Sequence, residues 1–146
     1  MRAQAYHDLL NKQRKEIEEF PIAYAFDNKQ LKEALEKLGV TDISECCTVC
    51  NHGDIVKKSD AKRFIEMLRR HNQEILDLLE NKKLAEEIFE YEMDNHEYCI
   101  NWDGDFDVLN SLGLDEKMLE EMNLKDAYRQ ARYAHMKRAH EEWGII

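Results

Sequence analysis

One proline and five glycines in 146 residues are too few to punctuate a fold of many short strands, and this scarcity favours helices joined by brief connections. There is no glycine-rich phosphate loop, no nucleophile elbow and no dinucleotide fingerprint, so no motif announces a reaction class. Long apolar runs are also missing. The most apolar stretch, FPIAYAF at 20–26, is too short to cross a bilayer, and the N-terminal MRAQAYHDLLNKQRKE lacks an apolar core of signal-peptide length. A soluble cytoplasmic protein with no membrane partner is therefore expected. Cysteine is limited to Cys46, Cys47, Cys50 and Cys99, an uneven cluster unlike the spaced framework of a small secreted domain, and free thiols are expected.

Charge is what the chain has in quantity. Charged residues make up 36% and the net charge is -10, and the excess is concentrated. Glu74 to Asp126 carries 17 acidic and 4 basic residues, net -13, while the remainder carries 14 acidic and 17 basic, net +3. An acidic face of this strength repels a phosphate backbone and attracts a basic protein surface, so direct nucleic-acid binding is not expected.

The spacing of apolar residues predicts a mainly α (α+β) fold: one helical domain over residues 1–146 with a single short hairpin near 45–57. Tyr6, Leu9, Leu10, Ile17 and Phe20 define a first helix, interrupted at position 13 by glutamine. Asp27 and Gln30 read as a capping box for a second helix that ends at Gly39. IAYAF is either a short buried strand or an extended connector. ECCTVC and DIVKK around Asn51, His52 and Gly53 have hairpin composition. Ser59 is the expected N-cap of a third helix presenting Phe64, Met67, Leu68, His71, Ile75, Leu78 and Leu79, and a fourth helix over about 82–97 points Leu84, Ile88 and Tyr91 inward. FDVLNSLG forms a short helix ended by Gly113, and Asp115 opens a last helical region with a break near Asn123.

EFPIAYAFDNKQ, GDIVKKSDAKRF and EIFEYEMDNHEY resemble a family of small proteins encoded by phages and mobile elements of Firmicutes and related gut bacteria. The resemblance runs from about Gln13 to Glu120 and implies genomic context more than chemistry, because its motifs are structural phrases. In that family the hairpin position is a glycine-rich turn without cysteines, so Cys46, Cys47 and Cys50 are a departure.

Three clusters invite a chemical reading. Cys47 and Cys50 have half-knuckle spacing, with His52 as a third metal ligand and Cys46 or Cys99 as a fourth, but a second ligand pair is missing and strand alternation puts 47 and 50 on opposite faces. DGDFD, Asp103 to Asp107, has the start of a calcium loop without its glycine or its terminal glutamate, and reads as a solvated loop capping the next helix. Glu92 and His96 are neighbours on one helix face, an arrangement that reads as a histidine bonded to its carboxylate unless His71 or His135 joins it. The basic run Lys57, Lys58, Lys62, Arg63, Arg69 and Arg70 reads as a solvated face.

The expectation is a small acidic protein that acts by protein–protein interaction and not as an enzyme, without a cofactor. Its face is built on Glu86, Glu87, Glu90, Asp94, Asp103 and Asp105, and its partner is a basic protein surface. Size and charge fit an inhibitor of a nucleic-acid-binding host defence enzyme, of the anti-CRISPR type. The alternative is a metal-binding protein or metal-dependent enzyme that uses Cys47, Cys50 and His52 or the His96 region.

Overall fold

A computed structural model describes residues 3–144. Among them are the helices α1 Gln4–Glu19, α2 Asn28–Leu38, α3 Lys58–Leu78, α4 Lys82–Asn95, α5 Gly104–Ser111, α6 Glu116–Glu121 and α7 Lys125–Trp143, with strands β1 Ala23–Tyr24, β2 Cys46–Cys47 and β3 Asp54–Lys57. The fold is mainly α, as the periodicity implies. The expected hairpin is β2–β3, and IAYAF resolves as a strand that joins it, giving a three-stranded antiparallel sheet of order β1-β3-β2. The residues group into two compact units, Leu10–His71 and residues 3–9 with 72–144; the divisions fall inside α1 and α3.

In the unit Leu10–His71, the alternation of a strand divides the apolar residues between two faces of the small sheet. Ile22 and Val56 pack with Phe64 and Met67 of α3, with Ile17, Phe20 and Cys47 against them. Ala23 and Cys46 pack with Ala34 and Leu38 of α2. Adjacent cysteines thus serve as small apolar residues in different clusters. Half of the expected capping box forms: Gln30 N–H donates to Asp27 Oδ1 at 2.7 Å, whereas the Gln30 side chain accepts from Phe26 N–H, one residue before the cap, at 2.8 Å. Gly39 closes α2 at φ 73, a left-handed cap without steric cost for glycine. Gln13, the polar interruption of α1, is buried because its Nε2 donates to the His71 carbonyl at 2.9 Å. Ser59 does not cap α3; the helix begins at Lys58, directly after β3, so Ser59 lies inside its first turn.

The other unit is centred on α4 against α7. Ala85, Ile88, Phe89 and Met93 are fully buried, and α7 meets them with Ala127, Tyr128, Ala131, His135 and Ala139. Three alanines on that face let the helices approach closely. The inward residues of α4 differ from those expected: Leu84 and Tyr91 are only half-buried, and Ala85, Phe89 and Met93 take their place. The later turns follow local chemistry. Asp115 accepts from Met118 N–H at 2.8 Å to start α6, and Asn123 at φ 56 separates it from α7. Gly113 sits at φ 71 where a Cβ would come within 2.0 Å of Asn72 Oδ1.

The loop between β2 and β3 is organised by one carboxylate. Asp54, buried at the start of β3, accepts from the Thr48 hydroxyl at 2.9 Å and from the backbone N–H groups of Val49 at 2.8 Å, Cys50 at 3.0 Å and His52 at 3.1 Å. Burial alone would raise its pKa, but the donors from Cys50, Val49, His52 and Thr48 overrule it and hold the carboxyl well below the usual range. A depressed folded-state pKa gives stability that is complete above the unfolded value near 4 and is lost as pH falls toward the folded one. Asp54→Ala is expected to cost about 3 kcal/mol, since it strands several donors at once. Denaturant titration at neutral pH checks this, and the difference from the parent should shrink as the medium is acidified.

Candidate functional site

After α4 the chain reverses at Glu97, φ 51, and runs through Tyr98–Ile100 into α5. Asn101 fixes this passage with three bonds. Its Nδ2 donates to the His96 carbonyl at 3.1 Å and to Asp107 Oδ2 at 2.8 Å, and its Oδ1 accepts from Asp103 N–H at 2.9 Å. A second anchor comes from α7. His135 is fully buried; its Nε2 accepts from Cys99 N–H at 3.2 Å, so its proton sits on Nδ1, which meets Asp94 Oδ1 at 2.7 Å. Between these anchors the loop displays Ile100 at 61%, Trp102 at 102% and, in the first turn of α5, Phe106 at 67% relative exposure. Single exposed apolar residues are ordinary, but three within seven positions of an acidic loop form a patch.

Asp105 lies at the centre of this surface. It accepts at one oxygen from the hydroxyls of Tyr98 at 2.8 Å and Tyr128 at 2.5 Å. Tyr98 packs so closely over Gly104 that a Cβ there would stand 2.7 Å from its ring; glycine is what allows tyrosine to reach Asp105. A shallow cavity of about 600 Å³ is lined by Tyr98, Ile100, Trp102, Asp105 and Met136. The arrangement offers an aromatic wall, a carboxylate and apolar contact, which suits recognition of a cation.

The residues expected to form the acidic face do different things. Glu90 meets Arg138 at 3.0 Å and Asp94 meets both Arg138 at 2.9 Å and His135, so these two are used within the fold. Burial opposes the Arg138 charge, but Asp94 and Glu90 outweigh it and push its pKa up. Asp105 is exposed yet engaged by its tyrosines. Among the described residues nothing pairs with the side chains of Glu86, Glu87 or Asp103; the first two are half-buried and the third exposed. Asp103 makes no side-chain cap for α5, contrary to the expected capping role of that cluster. Ile100, Trp102 and Phe106 were not singled out by sequence reasoning, although large apolar side chains alternating with aspartates from 100 to 107 are the signal that marks them.

The other expected ligands are placed as follows. Cys47 is half-buried against the Val56 cluster, while Cys50 and His52 are exposed on the loop that Asp54 gathers. Burial, then Glu45 and Cys47, push up the Cys46 thiol; desolvation by the loop, then Asp54, push up that of Cys50. His96 Nε2 lies 3.2 Å from Glu92 Oε2. That buried carboxylate also accepts from Tyr6 at 2.9 Å, and His135 is engaged elsewhere.

Burial and then the Asp105 hydrogen bond raise the pKa of both Tyr98 and Tyr128; burial and Glu92 do the same for Tyr6. Their neutral forms are the stabilising ones, so this contribution is complete below the unfolded value near 10 and is lost as pH rises toward the folded values. Ultraviolet difference absorbance is expected to show these three phenols resisting ionisation until alkaline unfolding. Asp105→Asn should let Tyr98 and Tyr128 ionise at lower pH without changing Tyr6.

No curated protein and no solved structure matches this chain. A family model does, over residues 5–134, and its description is a family of unknown function, DUF7659. The match reaches into both compact units and covers the whole of the aromatic loop, ending before His135, and the chain belongs to the DUF7659 family.

Proposed function

We propose that this protein acts by protein–protein interaction, using the unit of residues 3–9 and 72–144 to dock on a basic surface of another protein. The observation that carries this reading is Trp102, completely exposed on a loop that Asn101 and His135 hold in place. A large rigid aromatic kept in water has the character of an interface hot spot. Charge supports it. By sequence, residues 3–9 and 72–144 carry 20 acidic and 8 basic residues, net -12, while Leu10–His71 carries 11 and 12, net +1. Among the described residues Glu86, Glu87 and Asp103 have no partner, which leaves them to contribute to that field.

The phrases shared with phage and mobile-element proteins extend the reading to its context: a small element-encoded protein whose partner is a nucleic-acid-binding host protein, inhibited in the anti-CRISPR manner by occupation of its cationic channel. Long-range attraction would speed association and weaken with salt.

The test compares the parent with Glu86→Gln/Glu87→Gln/Asp103→Asn and with Trp102→Ala, each of which is expected to melt close to the parent because these side chains are unpaired or exposed. Capture of basic host proteins at low salt is expected to fall for both variants. It should also fall for the parent at about 0.5 M salt, where the screening length is only a few ångströms. Undiminished capture by both variants at low salt would remove the support for this surface.

A further inference from the structure

Beside the loop, α5 and α6 enclose a groove of about 550 Å³ whose floor includes the buried Leu109 and Leu114 and whose wall is formed by Phe106 and Met118. Its rim carries Asp105, Asp115 and Glu116, and among the described residues no lysine or arginine lines it. We propose that this groove receives one large apolar side chain of a partner segment whose flanking residues are lysines or arginines; the inference rests on the acidic-docking reading and gives the partner's recognition chemistry.

An apolar floor and an acidic rim set two conditions together. A purely hydrophilic basic segment would leave Phe106 and the floor in water. A neutral apolar one would desolvate three carboxylates without compensating them, an unfavourable exchange. A basic segment with an apolar anchor satisfies both. Two of the rim carboxylates already have directions fixed by the fold: Asp115 by its cap to Met118 N–H, Asp105 by Tyr98 and Tyr128. Glu116 has no partner among the described residues. The rim is therefore largely preorganised, which lowers the ordering cost on binding.

The test uses the full chain and three acetylated, amidated heptapeptides: Lys-Arg-Lys-Leu-Lys-Arg-Lys, the same peptide with serine at its centre, and one with leucine at its centre and glutamate at every basic position. Affinity and side-chain methyl shifts are followed by nuclear magnetic resonance at low ionic strength. The leucine-centred basic peptide is expected to bind about tenfold more tightly than its serine counterpart and to move the methyl signals of Leu109, Leu114 and Met118. The acidic peptide should not bind. Phe106→Ser, an exposed position, should abolish the preference for leucine while keeping the parent's melting behaviour. Equal binding of both basic peptides, unchanged by Phe106→Ser, overturns the groove but leaves acidic docking standing. Absence of binding by either basic peptide overturns acidic docking and the groove with it. Dimerisation without peptide that Phe106→Ser abolishes assigns the groove to a second copy and also overturns the proposal.

Discussion

The buried imidazole of His135 is the constraint on which the candidate surface depends. It stands on α7 with no exposure, gives its Nδ1 proton toward Asp94 on α4 and takes the backbone N–H of Cys99 on the other nitrogen. One ring thus ties the two principal helices of its unit to the start of the aromatic loop. Arg138, one turn further along α7, joins Asp94 and Glu90 from the side. A buried hydrogen-bonded group of this kind specifies geometry more than it adds stability, because desolvation offsets much of the attraction. What it specifies is the position at which the chain leaves α4 and begins the loop that displays Trp102.

The carboxylates of this protein divide into those that build and those that remain for solvent or a partner. Asp54 gathers a loop through its donors, Glu92 takes the Tyr6 hydroxyl in the interior, and Asp94 holds His135 and Arg138. Asp105 belongs to both groups: its tyrosines fix it, yet it is exposed beside Trp102 and Phe106. Net charge alone therefore overstates the field of the acidic segment, because part of it is neutralised by α7. Arg138 lies outside the stretch Glu74 to Asp126, and a count along the chain could not bring it back to Glu90.

That limit separates what was legible in the sequence from what was not. Asp27 with Gln30, Gly39, Asp115 and Asn123 were readable because each acts on its own backbone within four residues. The buried stripe of α3 followed from period alone. Ser59 misled because β3 runs into α3 without a turn, and Asp103 because it starts α5 without lending its side chain as a cap. The pairs Tyr128 with Asp105 and His135 with Asp94 join residues 23 and 41 positions apart, and no periodicity encodes them. Trp102 was visible as a letter and unreadable as an exposed side chain, since aromatic residues in a helical domain are ordinarily core.

A protein that keeps a tryptophan and a phenylalanine in water while burying glutamate and histidine reverses the usual partition. The buried pair is accounted for by hydrogen bonds that the fold completes. The exposed pair has no such account within the unit, and its supports point the same way: Gly104 admits Tyr98, Tyr98 and Tyr128 hold Asp105, and Asn101 fixes the residues on both sides of Trp102. A loop left merely to solvent needs none of these. Rigid support under exposed apolar residues reduces the entropy lost when they are covered, and carboxylates around them favour a cationic covering surface over an anionic one. On the docking reading proposed above, the same bonds that make the loop a fixed part of the fold would preorganise one half of an interface.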